Sequence, residues 1–116
     1  MGAEAIDFIP RATRYGLNVP VMLYLPDDIA SGRTINISET GILATFDRSL
    51  DPWATGRLCA EVRRSYLSIE VRVVRVEGRQ TGMTFHIVTE GDHAAIRELI
   101  EFAQMELAAV PPAPAA

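Results

Sequence analysis

The chain has 116 residues, a formal net charge of −4, and hydrophobic and charged shares of 48% and 22%. Those are the figures of one ordinary globular domain, large enough to bury about two thirds of its unfolded surface. The acidic balance excludes nonspecific binding to long nucleic acids, which needs a basic face, and no apolar run approaches the roughly eighteen residues that would span a bilayer.

Residues 1–18 show no periodicity and contain Pro10, Arg11, Arg14 and Gly16, so they are predicted to form an extended, flexible arm. Val19 to Leu25 is the first predicted strand, with Pro20 near its start, where a missing N–H does least harm. Pro26-Asp27-Asp28 and Ser31-Gly32 are turn material. The runs Arg33-Thr34-Ile35 and Ile42 to Phe46 are strands on either side of a tight turn, and Leu58 to Val62 follows the loop 49–56 as another.

The longest predicted strand, Leu67 to Glu77, alternates through Leu67, Ile69, Val71 and Val73, then slips phase at Val74 and Val76. A one-residue slip in a period of two predicts a β-bulge, a usual device where a sheet curls into a barrel. Thr81 to Val88 completes the set. From Asp92, read as an N-cap, Ile96, Leu99, Ile100, Ala103 and Leu107 recur at helical spacing and predict one apolar stripe. The expected fold is therefore all-β with one terminal helix, a six-stranded antiparallel barrel plus a C-terminal helix. The predicted division is an arm over 1–18, barrel and helix over 19–108, and a loose Pro/Ala tail over 109–116. Leu23, Ile35, Leu43, Leu58, Val71, Phe85, Ile96 and Leu99 are the expected core.

The most informative stretch is Asn36-Ile37-Ser38-Glu39-Thr40-Gly41. In extended chain, positions i and i+2 share a face, which would aim Asn36 and Ser38 together at a ligand. Gly41 can take φ > 0 and has no Cβ to block close approach. A plain hairpin turn is the alternative, since the same residue types dominate turns for backbone reasons. The chain has no lysine, so all eleven basic residues are arginine, which supplies planar forks suited to phosphate and guanine.

The other candidates carry less. His86 and His93 lack a companion cluster of metal spacing and read as structural or surface groups. Cys59, the single cysteine, cannot form a disulfide within the chain and reads as a small core hydrophobe. Arg63-Arg64 reads as a solvated turn. Trp53 is either a core lid or an exposed partner contact. No nucleophilic triad or carboxylate pair can be assembled, so no enzymatic activity and no cofactor are expected. The amino terminus lacks a basic segment followed by an apolar stretch, so a cytoplasmic location is expected.

The turn Asn36-x-Ser38-x-x-Gly41, together with Arg72-Val73-Val74-Arg75-Val76, Gly82-Met83-Thr84-Phe85 and the acid-capped helix, resembles the PilZ domain family over residues 10–105. That family pairs an Asp/Asn-x-Ser-x-x-Gly turn with an upstream Arg-x-x-x-Arg arm. The resemblance implies a bacterial receptor for cyclic di-GMP, with Asn36, Ser38, Gly41 and the arm arginines Arg11 and Arg14 as ligand residues. Arg14 keeps the place of the family's second arginine, but the first has moved to Arg11, because Pro10 stands four residues before Arg14. Arg75 is placed to face either the ligand or water. With no second domain in the sequence, the output is expected to pass to a separate protein partner. The alternative is an adaptor that has lost the ligand and acts by protein contact alone, in motility or pilus control.

Overall fold

The structure, a computed structural model, describes residues 13–109, with side chains as far as Glu106. Its elements are β1 (Tyr15–Gly16), β2 (Pro20–Tyr24), β3 (Ile29–Ile37), β4 (Gly41–Phe46), β5 (Thr55–Val62), β6 (Ser65–Glu77), β7 (Gln80–Phe85) and α1 (Glu90–Ala109). The strands pair antiparallel in the order β3-β2-β5-β6-β7-β4, and β4 pairs back to β3, so six strands close a barrel. The two-residue β1 adds a seventh strand beside Asn36 and Ile37, where β2 has already ended. The predicted barrel and helix are therefore present.

Strict alternation builds the interior. Val21 and Leu23 of β2, Leu58, Ala60 and Val62 of β5, and Ile69, Val71 and Val73 of β6 point inward and are buried. The residues between them face out. The phase slip read from β6 is a register shift between Val73 and Arg75. Val76 then returns to pack on the core.

Helix α1 buries Ala95, Ile96, Leu99, Ile100 and Ala103 and packs against β1 and β6. Leu107 belongs to the predicted stripe, but its side chain lies outside those described. The helix starts earlier than the sequence suggested. Thr89 is the N-cap, its Oγ1 accepting from the Asp92 amide at 3.2 Å, while Asp92 Oδ2 accepts from the Val88 and Thr89 amides at 2.8 and 3.0 Å. This reciprocal box satisfies donors that a helix start leaves free, and the two backbone bonds hold the Asp92 carboxyl below its ordinary value. Near the far end, Arg63 lies 5.5 Å from the Phe102 ring centre and donates to Met105 Sδ at 3.2 Å. The hairpin arginine thus fastens the helix to the β5–β6 turn, which a reading as a solvated turn had missed.

Three expectations need correction. Ile35 is exposed, because inward-facing Thr34 leaves its neighbour facing out, and the register shift between Thr34 and Asn36 then returns Ile37 to the core. Leu43 is only half-buried and lies outside the core, whereas Phe85 is half-buried and packs against it. Cys59 is buried but has the parity of the outer face, opposite Met22 and Ser68. It is covered from outside, and the nearness of its thiol pushes the neighbouring Tyr66 phenol above its ordinary value.

The expected arm is also partly paired. Tyr15 and Gly16 are strand, and Leu17 is buried. The join is made by Thr34, whose Oγ1 donates to the Leu17 carbonyl at 2.7 Å and accepts from the Val19 amide at 2.9 Å.

Thr34 and Thr81 test this account as a pair. Thr81 is fully buried, and its Oγ1 is the buried side-chain oxygen among the described residues without a partner. Removing a hydroxyl that serves two backbone groups costs about 1–3 kcal/mol, whereas removing an unpaired one is neutral or stabilising. Thr34→Val should therefore lower unfolding stability in urea by about 1–3 kcal/mol, and Thr81→Val should leave it equal or higher by about 1 kcal/mol. In the barrel–helix core, Leu99→Ala should cost about 2–5 kcal/mol in the same measurement, with strand and helix signals lost together.

Candidate functional site

The two register shifts act on one row of the outer surface. Asn36 stands opposite Leu43, Leu43 opposite Gly82, and Gly82 opposite Arg75, across β3, β4, β7 and β6. Without the extra residue in β3, Leu43 would face Ile35, since Thr34 pairs with Ala44. Without the extra residue in β6, Gly82 would face Val74, since Val73 pairs with Met83. Each bulge removes an aliphatic residue from the row and installs a polar one. The displaced Ile35 and Val74 are 36% and 38% exposed.

Above this row lies an open cleft of about 410 Å³, lined among others by Arg14, Asn36, Leu43, Val74, Arg75 and Gly82. Arg14 arrives from the β1 side, and its Nη1 donates to Asn36 Oδ1 at 2.7 Å. Gly82 leaves a dip in the middle, as glycine inside a strand does where something must approach the backbone. None of the lining residues is acidic, although the protein carries a net charge of −4. An apolar floor between two guanidinium groups and an amide is suited to a flat base with an anionic group attached.

The motif residues divide by role. Asn36 is half-buried and faces the cleft, but Ser38 is 1% exposed and does not line it. The strand ends at Ile37, so the rule that i and i+2 share a face no longer holds at Ser38. The Ser38 amide donates to the Gly41 carbonyl at 2.8 Å. Its Oγ accepts from the Thr40 and Gly41 amides, both at 3.2 Å. Ser38 thereby fixes the turn that carries Asn36 and Thr40.

Gly41 is needed for space and not for a left-handed conformation. A Cβ there would stand 2.5 Å from the Met83 carbonyl oxygen, and the positive-φ glycine in the described chain is Gly78. Arg75 lines the cleft, and Arg11 lies outside the described residues.

Leu43, Val74 and Gly82 are site residues that the sequence reading did not single out as such. The glycine inside a strand-like run was the available signal. His86 and His93 are exposed, and among the described residues no three His, Cys, Asp or Glu side chains gather as a metal site. No helix among those residues is long and apolar enough to cross a membrane. Trp53 is 67% exposed on a backbone with φ of 70°, which removes the core-lid alternative.

Comparison with known proteins agrees with this geometry. The family model for the PilZ domain matches residues 10–102, and a search of curated proteins finds no match. Among solved structures, the PilZ domain of Escherichia coli YcgR, determined with cyclic di-GMP, is similar at a TM-score of 0.71 and 11% identity, over 88% of this chain and 99% of that one. The PilZ domain of CeSA from a cellulose-synthesizing bacterium gives 0.69 and 15%, over 78% and 97%. The Bacillus subtilis inhibitor of motility MotI/DgrA gives 0.67 and 18%, with 88% of this chain matched to 53% of its length. At these identities the likeness concerns the fold.

Asn36→Ala and Ser38→Ala should separate two roles within the turn. Ser38→Ala strips two amides of their acceptor in a buried turn and should lower stability by about 1–3 kcal/mol in urea unfolding. Asn36→Ala removes an exposed contact and should change stability by less than about 0.5 kcal/mol. Similar stability losses in the two variants would contradict the division.

Proposed function

The chain belongs to the PilZ domain family, a family of cyclic di-GMP receptors, and on that premise we propose that it binds cyclic di-GMP and signals to a separate protein partner. The observation that carries the reading is the acid-free cleft in which the Asn36 side chain already holds the Arg14 guanidinium. Guanine presents O6 and N7 side by side, a pair of acceptors that a planar fork meets with two parallel bonds. A phosphate diester suits the same group. Holding Arg14 before the ligand arrives reduces the entropy lost on binding. The Asn36 amide oxygen has a second lone pair and can accept from a guanine N–H while it still holds Arg14.

The other assignments are part of the same proposal. Arg11 supplies a second, weaker arm contact, Ser38 and Gly41 act by shaping the turn, and Arg75 joins the ligand set. The protein works in the cytoplasm, where the free thiol of Cys59 stays reduced. The partner belongs to a motility system, in keeping with the fold shared with an inhibitor of motility. The alternative adaptor draws on the exposed Trp53, held on a strained backbone of the kind that persists at functional surfaces.

Calorimetric titration with cyclic di-GMP tests the reading. Heat should be released on binding, Arg14→Ala should weaken affinity about tenfold to hundredfold, and Arg11→Ala should weaken it less. Added salt should weaken binding in the wild type. No heat from the wild type at millimolar ligand would remove the receptor reading and leave the adaptor.

A further inference from the structure

We propose that Arg75, delivered by the β6 bulge, is the second guanidinium of the cleft and takes over the contact that the family's first arm arginine makes. This rests on the receptor reading. The register carries the argument. Val73 pairs with Met83, so an unbroken ladder would set Val74 opposite Gly82, but the pairing resumes with Arg75 in that place. The inserted residue therefore exchanges a valine for an arginine at the end of the row that begins with Asn36.

The partner strand is fitted to that exchange. A Cβ on Gly82 would lie 3.5 Å from the Arg75 Cβ, so alanine would fit, whereas a longer side chain would stand on the cleft floor beside the arginine. Arg75 is exposed and lines the cleft. Among the described residues its side chain makes no hydrogen bond or ion pair, as is also true of Arg64, Arg72, Arg79 and Arg97, but of the two arginines that line the cleft Arg14 is held by Asn36 and Arg75 is not held. A guanidinium left uncommitted, in a cleft with no acidic lining, is available to an anionic ligand.

The two arginines approach from different sides, Arg14 from the segment before β1 and Arg75 from β6. A planar ligand lying over Leu43 and Gly82 would have one guanidinium at each edge. Cyclic di-GMP offers acceptors at both, the guanine O6/N7 edge and the phosphate diester. Arg14 beside Asn36 takes the guanine edge, and Arg75 takes the phosphate. The sequence spacing that leaves Pro10 in place of an arm arginine is thereby compensated from within the barrel.

The test is titration of cyclic di-GMP into the wild type, Arg75→Gln, Gly82→Leu and the control Arg72→Gln. Arg72 is exposed on the same strand but does not line the cleft, so its loss changes net charge equally. Arg75→Gln should weaken binding about tenfold to hundredfold and flatten the salt dependence, with an unchanged melting temperature. Gly82→Leu should weaken binding comparably, and Arg72→Gln should stay within about twofold of wild type. Wild-type affinity in Arg75→Gln, or equal weakening in both arginine variants, would overturn the proposal while leaving the receptor reading intact. A wild type that does not bind cyclic di-GMP would overturn both.

Discussion

The site depends on one buried hydroxyl. Thr34 Oγ1 gives its proton to the Leu17 carbonyl and receives the Val19 amide, in a place where water cannot substitute. Leaving either backbone group unpaired would cost about 1–3 kcal/mol, so the connector between β1 and β2 has little freedom to sit elsewhere. That connector brings Tyr15 and Gly16 beside Ile37 and Asn36, and Arg14 follows as the next residue outward. The bond that finally meets Asn36 is exposed and, in water, contributes far less than the buried pair. Position is therefore set by groups that cannot exchange, and contact is made by groups that can.

The two bulges extend the same division of labour. A closed barrel has a strict inside and outside, so a strand's choice of outward residues is fixed by its register. Inserting one residue is the local way to change what a row presents without disturbing the row before it. Here both insertions fall at one row, on β3 and on β6, and both replace an aliphatic residue with one that can hydrogen-bond. Ile35 and Val74 remain on the outer face beside the row, exposed at 36% and 38%. The core is unaffected, because Thr34, Ile37, Val73 and Val76 resume inward packing on either side.

What the sequence made legible follows from how long each signal was. The β6 slip was readable because four alternating residues preceded it, whereas the run Arg33-Thr34-Ile35 was too short to show that β3 slips as well. Ile35 was therefore assigned to the core on hydrophobicity alone. The helix stripe was clear, but its start was misplaced by three residues, since Asp92 caps acceptably in isolation and its partner Thr89 is recognised only by the reciprocal bonds. Asn36 and Arg14, singled out from a motif, both line the cleft. The inward turn of Ser38 and the steric demand on Gly41 were hidden, because both depend on where Met83 and the turn amides lie after the barrel closes. The burial expected of Cys59 is present, but its outward parity was hidden because neighbouring Leu58 and Ala60 make an unbroken apolar run.

The cleft and the helix share their supports. Arg14 directly precedes β1 and Arg75 stands in β6, and both strands pack against α1. The two supports differ in stiffness. Strand β6 is paired to β5 over residues 65–72 and to β7 over residues 71–77, so Arg75 stands in a long strand and is backed there by β7. Strand β1 has two residues, paired on one side only, and elements with so few bonds open at low free-energy cost. A force applied at Arg14 is therefore carried toward the helix by the least constrained strand of the described sheet. The barrel is the well-paired frame in this arrangement, and β1 is the short strand that joins the Arg14 edge of the cleft to α1.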